Sequence, residues 1–322
     1  MKRKCLFLFL CGSVFMMAFW LGVWTAWAEG YAHYTPEYAK VDIVPILQKR
    51  TLERTDYEEL FLQTGMTQVG VDELRGRNRQ SDLLLLQERF FAEAEMVCLR
   101  DFYVVQSERL VQLGEGSLGY ETSVVNKREI PLMAEEEKLM ESHFLPAVHP
   151  GDILISFNGH IFGWRNGHAA IVVDAEEGLT LEAITLGSDS RICSIEKWAE
   201  YPCFALLRLE GAPLEERMKI AEYAKENLVG VSYRLLSFSG EGMVADATAL
   251  REQKRVRKTT VAAEEALAGT HCAHLVWSAY AHFGYNLDSD GGLIVTPRDI
   301  FDSDLLEVVQ IYGLSPEAVL VE

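Results

Sequence analysis

The chain has 322 residues, of which 48 are Asp or Glu and 30 Lys or Arg, leaving a net charge of −18. So acidic a protein argues against a nucleic-acid partner, which requires a basic face. It would also be repelled by anionic polymers, and solubility is the simplest reason for the charge.

Residues 1–28 read as a secretory signal. Lys2, Arg3 and Lys4 form a basic start, an apolar run extends from Cys5 to Val23, and Ala26-Trp27-Ala28 is a small-x-small cleavage site. The run approaches the roughly 20 residues that span a bilayer, so an uncleaved membrane anchor is the alternative. Either way the expected location is secreted or in the cell envelope. Loss of the three basic residues takes the charge from −18 to −21. Export permits disulfides. Cys98, Cys193, Cys203 and Cys272 lie outside the leader, and Cys193 and Cys203 are near enough in sequence to bridge adjacent segments. None of the spacings resembles a zinc-binding Cys-x-x-Cys pair.

Residues 29–145 read as a mostly helical region. After an aromatic, extended lead-in from Tyr31 to Tyr38, short helices are expected over 42–50 and 56–65, and a further short helix or turn over 69–77. Asp56 is placed to favour a first helical turn. The strongest pattern runs from Ser81 to Val97. Ser81 and Asp82 are candidate caps, and Leu83, Leu84, Leu86, Phe90, Phe91 and Met96 form the apolar stripe. Helix is also expected over 102–113 and 136–145. The region holds no Cys/His cluster and no Gly-rich phosphate loop. About 115 residues suffice for a small core, and a module packed on the downstream domain, a removable pro-segment or a wall-binding module all fit.

From residue 146 the composition becomes Gly-rich and β-branched, and 146–322 reads as an α+β domain with an antiparallel sheet. Residues 149–157 read as a turn feeding a strand, further strands are expected over 166–174, 179–184 and 204–209, and a closing strand over 306–312. The Glu176-Glu177-Gly178 turn joins the second and third of these into an antiparallel hairpin, which puts His168 and Glu182 on paired strands with a shared face. Pro213 opens a helix to about Leu228, with Leu214, Met218, Ala221 and Ala224 on one face. Gly230-Val-Ser-Tyr233 ends it. Residues 240–268 look like a basic surface insertion, and Thr296-Pro-Arg-Asp-Ile-Phe301 starts a short helix.

Between these last two lies Gly269-Thr-His-Cys-Ala-His-Leu-Val-Trp-Ser-Ala-Tyr280. Leu275, Val276 and Ala279 recur at helical spacing, and Gly269 and Thr270 punctuate and cap the start. That places Cys272 at a helix N-terminus, where unpaired N–H groups and the helix dipole lower a thiol pKa. A lone helix cysteine is more often a buried apolar residue. What favours a nucleophile is the upstream hairpin. His168 can take the thiol proton, and Glu182 can hold the imidazole in the required tautomer.

The order of these motifs is a Pro-Gly-Asp strand, a Gly-His strand, a Glu strand, Gly-x-Ser-Tyr, then Thr-x-Cys at a helix start. It resembles the circularly permuted NlpC-type papain-like cysteine hydrolases, the YiiX/YebB-like group, whose relatives include the lecithin:retinol acyltransferase family. The resemblance covers roughly residues 148–312 and none of the helical region. It implies a papain-like fold, with Cys272 as nucleophile, His168 as base, Glu182 as the orienting residue and Tyr233 lining the site and helping to bind the oxyanion. His271 falls where relatives vary and is given only a lining role. The activity implied is that of a cysteine peptidase or amidase needing no cofactor or metal. Peptidoglycan peptide amides are the first expected substrate, and lipid esters or amides the second. The competing readings are a metal-binding module built from His271, Cys272 and His274 with His160 or His168, and a degenerate fold that binds wall fragments.

Overall fold

The computed structural model describes residues 12–21, 33–92, 110–112, 118–120, 144–157, 160–161, 164–165, 167–201, 203–237 and 269–320. The expected cleavage site, Cys98, the 136–143 stretch, the side chain of His160 and the 240–268 insertion lie outside them. The helices are α1 (residues 12–21), α2 (Val44–Leu47), α3 (Arg54–Thr64), α4 (Gln68–Gly76), α5 (Asp82–Phe90), α6 (Leu214–Asn227), α7 (Cys272–Ala281), α8 (Pro297–Phe301) and α9 (Glu317–Leu320). The strands are β1 (Leu110–Gln112), β2 (Leu118–Tyr120), β3 (Ile153–Ser156), β4 (His160–Ile161), β5 (Trp164–Arg165), β6 (His168–Asp174), β7 (Leu179–Glu182), β8 (Arg191–Ser194), β9 (Phe204–Leu209) and β10 (Leu306–Tyr312). Among the described residues no helix is long and apolar enough to cross a membrane.

The architecture is α+β. Six strands in the order β10-β9-β3-β6-β7-β8 form one sheet in which every neighbouring pair is antiparallel. Side chains alternate across a strand, so each strand serves two cores. Ile153, Ile155, Ala169, Ile171, Leu181, Ala205 and Leu207 face one way, into a cluster with α6 and α7. Leu154, Ala170, Val172, Phe204 and Leu206 face the other, against Leu60, Val71, Leu74, Leu83 and Leu86 of α3–α5. With both faces covered, β3, β6 and β9 read as near-continuous apolar runs. The helical segment therefore shares its core with the sheet.

Backbone bonds tie the two together as well. The turn between α3 and α4 runs beside β10: Ile311 N donates to Gly65 O at 2.8 Å and Thr67 N to Val309 O at 3.0 Å. Gly65 has φ +70, and a Cβ there would lie 2.1 Å from the Ile311 carbonyl oxygen. Only glycine meets both demands without strain.

A buried charge network crosses the layers. Asp152, in the Pro-Gly-Asp turn before β3, accepts from Arg208 Nε at 2.9 Å, Arg208 Nη2 at 2.7 Å and Arg217 Nη1 at 3.2 Å. Arg208 Nη1 also reaches Glu73 of α4 at 2.5 Å. In the same turn, the Gly151 carbonyl accepts from the buried Tyr280 hydroxyl of α7.

Several expectations need correction. Residues 110–112 and 118–120 pair as antiparallel strands, where helix was expected over 102–113. Ser81 makes no cap hydrogen bond, and Asp82 instead accepts from Arg79 Nε at 2.9 Å. The buried face of α6 is Arg217, Ile220, Ala221 and Ala224, while Leu214 and Met218 are exposed. The stripe is rotated so that Arg217 meets Asp152. β8 and the 3₁₀ turn after it, Ile195–Glu200, were not foreseen. Cys193 and Cys203 are not joined to each other. Cys193 lies on edge strand β8 and Cys203 adjoins β9, four strands away in the sheet order. At about 4.8 Å per strand that is roughly 19 Å, far beyond disulfide reach.

Candidate active site

The site forms where the start of α7 meets the ends of β6 and β7. All ten residues of α7 are buried, as expected of a helix that is apolar on every side. Its N-cap is His271, one residue later than Thr270: the His271 Nδ1 accepts from His274 N at 3.4 Å. Thr270 serves instead to fasten the strap behind the helix start, accepting from Arg234 N at 2.7 Å and donating to Ser232 O at 2.9 Å through its backbone. Its hydroxyl bonds His274 Nδ1 at 3.1 Å. Cys272 is the first helical residue and is 6% exposed.

His168 opens β6 and Glu182 closes β7. Ile171 pairs with Leu181, so continuing that register sets Ala170 opposite Glu182 and His168 on the diagonal of the same face, within side-chain reach. His168 Nε2 meets Glu182 Oε2 at 2.6 Å. That contact leaves Nδ1 as the ring nitrogen available to Cys272.

Glu182 is fully buried, and a buried charge must be paired and hydrogen-bonded. Thr180 Oγ1 donates to its Oε1 at 2.7 Å and Trp198 Nε1 to the same oxygen at 3.2 Å. Lys197 Nζ shares Oε2 with His168. Burial alone would push the Glu182 carboxyl up, but the Lys197 charge and the His168 contact hold it well below the usual carboxylate range. Burial would likewise depress Lys197, and the Glu182 charge more than reverses that. The Trp198 ring stacks on His168, centroids 5.5 Å apart and planes 15° from parallel, and Tyr201 packs edge-on against Trp198 at 4.8 Å.

The electrostatic outcome is a polarised pair. Burial pushes the Cys272 thiol up, but His168, and after it His271, bring it down to about 5. Burial pushes His168 down, but its bonds to Cys272 and Glu182 raise it to about 9. Between these values the pair rests as thiolate and imidazolium, and the two steps belong to the pair rather than to either residue. Because Lys197 already neutralises Glu182, the imidazolium charge is left to face the sulfur.

Tyr233 is half-buried and is bridged in parallel to Thr270. Burial and the Cys272 charge push its phenol well up, so it stays protonated and able to donate. Cys272, His168, Glu182, Tyr233 and His271 therefore all belong to one neighbourhood. Sequence reasoning missed Thr180, Lys197, Trp198 and Tyr201. Thr180 was legible, since strand alternation puts it on the Glu182 face. Lys197 and Trp198 come from a 3₁₀ turn with no periodic pattern, and Tyr201 caps its end.

For metal binding, three ligands must converge. Among the described residues the one such group is Asp288, Asp290 and Asp299, remote in character from the thiol site. Two of these carboxylates are already used to hold their own turn, by Gly291 N and Gly292 N. His168, Cys272 and His271 do not form such a group, and His274 Nδ1 is engaged by Thr270.

No family model matches the chain, and no curated protein matches it either. Among solved structures it is similar to the metalloprotein yiiX from Escherichia coli O157:H7, at 14% identity and a TM-score of 0.35, over 50% of this chain and 96% of that one. Likeness at that level fixes neither family nor activity.

Proposed function

We propose that the chain is an exported cysteine hydrolase with a papain-like, permuted NlpC-type catalytic domain over 146–322, acting on peptide amides of the cell wall. The observation that carries this reading is the buried Glu182, held by Thr180, Trp198 and Lys197, orienting His168 beside the depressed thiol of Cys272. A structural cysteine has no need of a base, and a structural histidine has no need of so fixed a carboxylate.

The Cys272 thiolate attacks the carbonyl carbon, and the carbonyl electron pair moves onto oxygen. The Cys272 backbone N–H, at the helix start, and the Tyr233 hydroxyl donate to that oxyanion. The tetrahedral species collapses, the C–N bond breaks, and His168 gives its Nδ1 proton to the departing amine. Water, deprotonated by His168, then releases the acyl group from sulfur. Glu182 keeps the ring oriented throughout and is not itself protonated.

A second substrate reading, lipid esters or amides, is favoured by the rim. Leu235 and Leu236 lie two and three residues after Tyr233 and are exposed, as is Leu186. Leu186 lies in the loop whose Ser188 carbonyl accepts from Tyr233 N at 3.0 Å. Apolar side chains beside a catalytic cleft suit an acyl chain.

The test is to incubate the protein with peptidoglycan and, separately, with phospholipid and N-acyl amide vesicles, alongside Cys272→Ala. Soluble peptides released only by the unsubstituted protein support the wall reading, and released fatty acid supports the lipid reading. If neither is turned over and thiol reagents show no preference for Cys272, the hydrolase reading is wrong.

A further inference from the structure

His271 is 7% exposed, and its Nε2 is sealed from solvent without a hydrogen-bond partner. Buried polar atoms are nearly always paired, so an orphan of this kind calls for an explanation. Its Nδ1 is occupied as an acceptor by His274 N at 3.4 Å. With Nδ1 so occupied, Nε2 is the nitrogen left to carry a proton and present a donor. The ring is fixed by its place as the N-cap of α7, immediately before the nucleophile, and it acts on the Cys272 sulfur along with His168. His168 is committed on its far side to Glu182 and is needed as acid and base. His271 has no carboxylate partner of that kind, so nothing in the site prepares it to shuttle protons.

We propose that His271 is a catalytic residue of the same site, its Nε2–H being the side-chain donor that completes the oxyanion hole. This rests on the hydrolase reading and changes one part of it: His271 joins the Cys272 backbone N–H as a main donor, with Tyr233 at the rim. In the resting enzyme the donor has no partner. When the sulfur electron pair forms the C–S bond, the negative charge moves from sulfur to the carbonyl oxygen, and the donor meets it there. When the C=O bond reforms and the leaving group departs with the His168 proton, His271 has neither gained nor lost a proton. A preset donor of this sort needs no reorganisation at the moment of reaction.

The test separates a step that builds an oxyanion from one that does not. Acylation of Cys272 by p-nitrophenyl acetate passes through a tetrahedral oxyanion, whereas alkylation by iodoacetamide needs only the thiolate. Both are followed in the full chain for the unsubstituted protein, His271→Ala and His271→Asn. Asparagine is a good N-cap, so it preserves the helix start while removing the Nε2–H. At mildly alkaline pH, acylation should fall roughly 10²–10³-fold in both variants while alkylation stays within about threefold. Equal loss of both reactions would assign His271 to structure or thiol ionisation. Full acylation in His271→Asn would reduce it to a cap. Either result overturns the proposal and leaves the hydrolase reading standing. If the unsubstituted protein is alkylated at Cys272 but gives no Cys272-dependent nitrophenol burst, the hydrolase reading fails and this inference with it.

Discussion

Replacing Glu182 by Gln keeps the shape of the side chain and removes the charge that orients His168. The rise of His168 from 6.5 to about 9 corresponds to roughly 3 kcal/mol, opposed by burial and shared between Cys272 and Glu182. Removing the Glu182 share lowers the imidazolium pKa, so the basic limb of the pH–rate profile should move down by at least about one pH unit. The amide can also hold the ring in the wrong tautomer, and losses of roughly 10²–10⁴ in kcat follow from that kind of change. The same substitution strands Lys197, a mostly buried cation whose main partner is gone, at a cost of roughly 3–5 kcal/mol. A Glu182→Gln/Lys197→Met double variant separates the two effects. It should recover much of the stability and none of the activity. The assay is a pH series of Cys272-dependent hydrolysis, with thermal unfolding of each variant. An unshifted basic limb and a rate within about twofold of the parent would refute the orienting role of Glu182.

The parent enzyme should show a bell-shaped profile with limbs near about 5 and about 9, because below the first the thiol is protonated and above the second His168 has no proton for the leaving group; a single limb in kcat/KM would contradict the ion pair. Asp152→Ala leaves Arg208 and Arg217 buried without their shared carboxylate and should cost roughly 3–5 kcal/mol by denaturant titration. Gly65→Ala forces a Cβ against the Ile311 carbonyl at positive φ. It should cost roughly 1–3 kcal/mol and loosen the α3–β10 junction, read by hydrogen exchange at Ile311. Tyr280→Phe removes the tie from α7 to the Pro-Gly-Asp turn and should lower stability by about 1–3 kcal/mol, since the Gly151 carbonyl is left unpaired.

Much of the fold was legible because its signals are local. β10 falls on the expected 306–312, and the hairpin that joins His168 to Glu182 follows from one turn and two apolar strands. The short helix with Thr296 as cap is closed by reciprocal bonds with Asp299. The failures involve long-range partners. Ser81 looks like a cap until Arg79 takes the neighbouring Asp82, and the face of α6 is set by Asp152, 65 residues upstream of Arg217. Lys197 and Trp198 sit in a six-residue 3₁₀ turn with no amphipathic period to mark it. Proximity in sequence also misled for Cys193 and Cys203, because the sheet order carries their strands apart. At the site, residue types and strand parity gave the nucleophile, the base and its carboxylate. The carboxylate's own counter-ion and the orphaned Nε2 of His271 emerge only from packing.

Whether Cys272 is an ionised nucleophile is tested most directly by its alkylation with iodoacetamide across pH, followed by intact mass and compared with Cys193 and Cys203. Selective modification of Cys272, with a midpoint near about 5 that rises toward the ordinary thiol value in His168→Ala, is the predicted result. A Cys272 that reacts only above about pH 8, like a free thiol, or whose titration is indifferent to His168, would contradict the catalytic reading of the site.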